Sequence, residues 1–170
     1  ILSGGGSVPK DNSIKGWADM YDRFQSLAQK TRLKIPLIYG IDAVHGHNNV
    51  QGATIFPHNI GLGCTFDPEI VYKVADITAR EVASTGINWN FAPCLAIPQD
   101  ERWGRYYEGY SENSKLVSDL GVATVKGYQN VLGENHSIAA CAKHFVGDGS
   151  TIWGTGDNNY KIDRGNAPIT

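Results

Sequence analysis

The chain has 170 residues, a formal net charge of -2, and 41% hydrophobic and 19% charged residues. That is the composition of a globular domain with a real core, and no basic face offers itself to nucleic acid. No apolar run approaches the roughly 18 residues needed to cross a bilayer, so a membrane is not expected as a partner either.

The opening, ILSGGGSVPK, carries no initiator Met and no basic start leading into an apolar stretch. Leu2–Pro9 reads as a glycine-rich loop leaving a strand that lies upstream, and both ends of the chain read as cuts in a longer protein. Ser13–Thr31 reads as a helix capped by Asn12 or Ser13. Its apolar stripe is Ile14, Trp17, Met20, Tyr21, Phe24, Leu27 and Ala28. A strand follows over Ile35–Asp42, then a loop over Ala43–Pro57. Asp67-Pro68-Glu69 starts a second helix, an N-cap with Pro at the first helical position, whose stripe is Ile70, Val71, Val74, Ile77, Thr78 and Val82. Gly86 stops it. A strand over Ile87–Ala92 leads into the charged loop Cys94–Tyr110, and a third helix runs from Ser111 to Tyr128. The last strand is Ile138–His144, followed by the loop Gly147–Asn159 and a helix starting near Asp163.

Strand and helix alternate, which means parallel strands joined by crossovers. A closed (β/α)8 TIM barrel takes about 250 residues, so this chain supplies roughly half of one. A doubly wound open sheet is the rival, disfavoured because no Gly-x-Gly-x-x-Gly turn follows a strand. The three cysteines, Cys64, Cys94 and Cys141, are an odd count without C-x-x-C spacing, which argues against a disulfide framework or a zinc knuckle. Cys94 and Cys141 read as small core residues. Asn135-His136-Ser137 fits the glycosylation triplet, a pattern common by chance.

Polar groups collect at the far ends of the three apolar runs, where parallel α/β folds place their ligand contacts. Asp42 ends the first and can accept two hydrogen bonds from vicinal hydroxyls, or simply cap a turn. His45 and His47 have a metal-ligand spacing that Lys143 and His144 could supplement, or else they hold a turn. Arg102 and Arg105, set among Asp100, Glu101 and Glu108, suggest a rigid network of Arg–carboxylate pairs with one Arg turned into a pocket. Lys143 and His144 are adjacent, so both reach one ligand only if the strand ends or kinks there. Asp42, Glu108, Asp148 and Asp157 are the carboxylates available for acid–base work on a glycosidic bond, with no spacing that pairs them. No G-x-S-x-G elbow is present.

The stretches IPLIYGIDAVHGHNNVQGATIFPHNIGLG, NFAPCLAIPQDERWGRYYEGYSE and CAKHFVGDG, in that order, resemble the N-terminal barrel domain of glycoside hydrolase family 3, and most of all its β-glucosidase and exo-β-glucanase branch. The resemblance runs from the GGGS turn to Asn159. It implies that residues 1–170 are part of one (β/α)8-type barrel, with the rest of the barrel and a second α/β domain outside this chain. It implies retaining hydrolysis of terminal β-glucosyl residues, without metal or cofactor. By motif, Asp42, Arg105, Lys143 and His144 would hold the innermost glucose, and Asp157 would lie near the next subsite. The nucleophile and the acid/base would come from outside these residues. The hexosaminidase branch has a K-H-F-P-G-H-G pattern with a catalytic histidine; here the stretch is KHFVGDG, with Asp148 in that place, which favours glucosidase. The implied partners are a β-glucoside or β-glucan oligosaccharide and the remaining polypeptide of the same enzyme; a homodimer stays open. A periplasmic or extracellular location rests on the resemblance alone. Two other readings remain beside it: a non-catalytic sugar-binding or inactive fragment, and a metal-dependent barrel hydrolase built on His45, His47 and Lys143.

Overall fold

The computed structural model describes residues 1–130 and 136–169, so Asn135 of the glycosylation triplet lies outside the described residues. The elements in chain order are β1 (Leu2–Ser3), α1 (Ile14–Ala28), β2 (Gly40–Ile41), α2 (Asn59–Gly63), α3 (Pro68–Ser84), β3 (Trp89–Asn90), a 3-10 turn (Tyr106–Glu108) and α4 (Ser114–Tyr128). β1, β2 and β3 pair in parallel in that order, with Leu2 opposite Gly40 and Gly40 opposite Trp89. Residues 138–143 lie beside β3 as a fourth parallel segment, through the bridges Trp89–Ala139 and Cys94–Lys143. Neighbours in sequence are therefore neighbours in space. The reversal of strand order that marks a doubly wound sheet does not occur among the described residues.

The strands are shorter than the apolar runs suggest, and β1 itself occupies the stretch expected to be loop. In the run before β2, Gln25 of α1 takes both backbone groups of Leu37, accepting from its N–H at 2.9 Å and donating to its carbonyl at 2.7 Å. Those groups are lost to a sheet ladder, and Ile35 and Ile38 stay exposed. The fourth segment keeps its ladder bonds, from Ala139 N to Asn88 O at 2.8 Å and from Lys143 N to Pro93 O at 3.0 Å. Pro93 has no N–H to return, so the pairing breaks into separate bridges.

The helices form where capping chemistry permits. Ser13 accepts from Gly16 N, Asp67 from Glu69 N and Ile70 N, and Asn113 from Leu116 N. α4 thus starts at Ser114 rather than at Ser111. Gly86, at φ +83, ends α3 in the left-handed conformation that a side chain resists. The helix expected near Asp163 does not form among the described residues. The chain there closes on itself instead, Ile152 N donating to Asn166 O and Asp157 N to Asp163 O. The main core joins Trp17, Ile41, Ala79, Val82, Ile87 and Ile138 between α1, α3 and the strands. α3 buries Ala75 and Ala79, while Ile70 and Ile77 face out. The reason is α4: a Cβ on its Gly127 would sit 2.6 Å from that of Ala75, so only small residues fit this crossing. No helix is long and apolar enough to cross a membrane among the described residues.

Candidate active site

All the parallel segments run the same way, so the chain leaves each of them at one edge of the sheet. Gly5 and Gly6 follow β1, Asp42 follows β2, Phe91 follows β3, and Lys143 and His144 end the fourth segment. A cavity of about 690 Å³ opens at that edge, and its walls include all of these residues together with Arg105, Tyr107 and Glu108. That size is within the range of small-molecule sites.

Asp42 is held from below. Asn90, fully buried, accepts from Ala43 N at 2.9 Å and donates to Ala43 O at 2.8 Å, while Asn49 donates to the carbonyl of Asp42 at 2.8 Å. The carboxylate accepts from Lys143 Nζ at 2.9 Å, and the Lys143 side chain is only 14% exposed. Ladder pairing ends at Lys143, and both Lys143 and His144 line the cavity. The Lys143–His144 peptide is cis, as are Ala92–Pro93 and Phe145–Val146.

Arg105 forms a two-pronged pair with Glu108, donating from Nε to Oε1 and from Nη2 to Oε2, each at 2.7 Å. Its Nη2 also lies 3.2 Å from His144 Nε2. A guanidinium can only donate, so Nε2 accepts and the ring proton is on Nδ1. Nδ1 accordingly donates to Asp148 Oδ2 at 2.8 Å. Glu108, Arg105, His144 and Asp148 are thus one hydrogen-bonded row with a defined imidazole tautomer. Burial pushes the Glu108 carboxyl up, but the Arg105 hydrogen bond and charge, with Lys143 and His144 nearby, hold it below its ordinary range. Arg105 is raised, chiefly by its hydrogen bond to Glu108.

The structure brings Asp42, Arg105, Lys143 and His144 together and leaves Asp157 apart. Asp157 is exposed, accepts from Asn158 N and Nδ2 at 2.8 Å each, and is absent from the cavity wall. His45 and His47 do not converge. Gly46 between them, at φ +91, sends them to different places. His45 Nδ1 bonds Phe56 O at 2.9 Å and its ring stacks on His58. His47 is buried against Thr85 Oγ1 at 3.2 Å, and burial pushes it down to about 4. Arg102 turns away from the cavity, pairing with Asp100 and lying 3.9 Å over the Trp153 ring. Phe91, His58 and Tyr107 also line the cavity; nothing in their spacing marks them in the sequence.

Such a wall suits a polyhydroxylated ligand. Asp42 offers acceptors, Lys143 and Arg105 offer charged donors, and Phe91 offers an apolar surface beside them.

Residues 1–169 match the family profile described as the glycosyl hydrolase family 3 N terminal domain. The chain is similar to the lysosomal beta glucosidase of Dictyostelium discoideum, with 40% identity over 158 residues covering 86% of this chain and 19% of that protein. It is similar to the periplasmic beta-glucosidase of Salmonella typhimurium, with 35% identity over 136 residues covering 79% of this chain and 17% of that protein. Among solved structures, the exo-1,3/1,4-beta-glucanase of a Pseudoalteromonas species superposes with a TM-score of 0.82 at 43% identity, covering 89% of this chain and 20% of that one. The chain therefore spans about a fifth of the length of these relatives.

Proposed function

This chain belongs to glycosyl hydrolase family 3, and from that premise we propose that it supplies the sugar-recognition half of the active site of a β-glucosidase or exo-β-glucanase. The reaction is removal of terminal, non-reducing β-D-glucosyl residues by retaining double displacement, through a covalent glucosyl intermediate. The nucleophile and the acid/base come from polypeptide beyond these residues, which also completes the (β/α)8 barrel and adds a second α/β domain.

The observation that carries the reading is the convergence of Asp42, Arg105, Lys143 and His144 on one cavity. Asp42 accepts from two vicinal hydroxyls of the innermost glucose. Lys143 and Arg105 donate to hydroxyl oxygens, and the lone pair on His144 Nε2 is available to a hydroxyl that displaces Arg105. An epimer with one hydroxyl reversed would leave one of these charged groups unpaired, a strong basis for rejection. Asp157 stands outside this cluster, on a loop that would border a second sugar.

Apolar exposure supports the completed barrel. Phe145 is 99% exposed and Val146 and Ile169 are also exposed, and with Leu95, Ala96 and Ile97 they line a second hollow of about 290 Å³ just past the end of the fourth segment. Exposed apolar side chains clustered in this way call for cover, and further polypeptide of the same barrel is the cover this reading assigns.

The test is hydrolysis of an aryl β-glucoside by the complete polypeptide, with an aryl N-acetylglucosaminide and a chelator as controls and the first-formed anomer read by NMR. Chelator-resistant release of β-glucose is the expected result. No cleavage, release of α-glucose first, or preference for the N-acetylglucosaminide would contradict the proposal.

A further inference from the structure

Behind the sugar-facing Nε2 of His144 lies a group of donor atoms that includes two residues, Cys94 and Asp148, to which the proposed reaction gives no part. Cys94 Sγ, a ring nitrogen of His144 and a carboxylate oxygen of Asp148 all lie within 4.8 Å of one another. Cys94 is buried in the strip paired with Lys143. His144 Nδ1 and Asp148 Oδ2 already touch at 2.8 Å. One thiol, one imidazole and one carboxylate are the donors that borderline-soft divalent ions take, three from protein and a fourth position left open. Bond lengths of about 2.3 Å to sulfur and about 2.0 Å to nitrogen place tetrahedral ligand atoms about 3.5 Å apart. The sulfur therefore needs to approach the other two atoms by roughly 1.3 Å at most, while the Nδ1–Oδ2 pair opens from 2.8 Å. Asp148 sits between Gly147 and Gly149, both at positive φ, in the loop that would move.

We propose that Cys94, His144 and Asp148 form an inhibitory site for a divalent cation of the zinc class. The ion replaces the Cys94 thiol proton, which goes to solvent. It also takes the Nδ1 lone pair of His144, so the ring proton shifts to Nε2. That shift sets the N–H of Nε2 against the guanidinium of Arg105, two donors where the structure has a donor and an acceptor 3.2 Å apart. Occupation of the site therefore breaks the Glu108–Arg105–His144 row and disorganises the cavity wall. The inhibitory consequence rests on the sugar-site reading; binding of the ion does not.

The probe is Co2+, titrated into the full-length protein and followed by thiolate-to-cobalt charge-transfer absorption. One equivalent should develop the band, and Zn2+ should abolish it by competition. Cys94→Ser should remove the band, weaken binding at least tenfold and leave basal turnover of the aryl glucoside unchanged. Asp148→Asn should keep the band at about tenfold lower affinity. Co2+ binding without a thiolate band, or unchanged affinity in either variant, would overturn the site. Glucose that lowers the Co2+ affinity supports the inhibitory role. A cobalt–thiolate band indifferent to glucose, with turnover unaffected by the ion, would overturn inhibition and count against the sugar-site assignment while the metal site itself stood.

Discussion

Lys143 Nζ donates to Asp42 Oδ1 across 2.9 Å, joining two strand ends that lie 101 positions apart in the chain. Each ion offsets the other's charge in a half-buried setting, so the pair presents two polarised groups to a ligand without a stray charge between them.

Breaking this pair should therefore be costly to recognition. Asp42→Asn or Lys143→Met in the complete enzyme is expected to lower kcat/KM for an aryl β-glucoside by about 100-fold, the scale of one lost charged hydrogen bond. Steady-state kinetics with circular dichroism as a folding control measures it. Wild-type kinetics in either variant would remove these residues from the sugar site.

Glu108 positions Arg105. Glu108→Gln keeps the shape and removes the charge, so KM should rise about tenfold while kcat changes less. The same pair predicts a pH effect on stability. Glu108 titrates lower in the folded protein than unfolded, so the unfolded chain binds the proton first as pH falls. The stabilisation is present above the ordinary carboxylate value of about 4.3 and is lost as pH drops through the lower folded value. The difference in Tm between wild type and Glu108→Gln should shrink between about pH 6 and pH 3. A constant difference would count against the pairing.

His47 should make the fold acid-sensitive in a higher window. Its folded value of about 4 lies below the ordinary 6.5 because of burial. Stability is thus complete above about pH 6.5 and falls toward pH 4, by on the order of 3 kcal/mol. His47→Leu removes the 3.2 Å contact of Nε2 with Thr85 Oγ1, but the Thr85 hydroxyl still donates to Val82 O at 2.6 Å, so no donor is left stranded. Denaturant melts at pH 7 and pH 4.5 should show that the variant loses less stability than wild type on acidification.

Asn90 holds the backbone just past Asp42 through two buried hydrogen bonds to Ala43. Asn90→Ala should cost about 2–3 kcal/mol of stability, since both partners lose their bond in a buried place. It should also lower kcat/KM by moving Asp42. A variant as stable as wild type would contradict the clamp.

Much of this site was legible because strand ends announce themselves chemically. Asp42, Lys143 and His144 each follow an apolar run, and the dense charge around Arg105 does resolve into an Arg–carboxylate pair with Glu108. Element lengths were not legible, because they depend on distant partners. Gln25 claims the backbone of Leu37, and Pro93 interrupts the fourth segment's ladder. The divergence of His45 and His47 depends on the turn at Gly46, which an H-x-H spacing does not disclose. Asp148 reads in sequence as one of four carboxylates available for acid–base work, and in the structure it accepts from His144 Nδ1 and so helps fix the tautomer of that ring. In α3 the expected stripe holds at Val71, Thr78 and Val82, which are buried, and fails at Ile70 and Ile77, which face out.

Whether this cavity wall holds a sugar is tested most directly by a crystal structure of the full-length protein with glucose bound. The expected result is glucose in the cavity, with hydroxyl oxygens about 3 Å from Asp42, Lys143 and Arg105. Glucose seated elsewhere, with Lys143 and Asp42 touching only each other, would contradict the account.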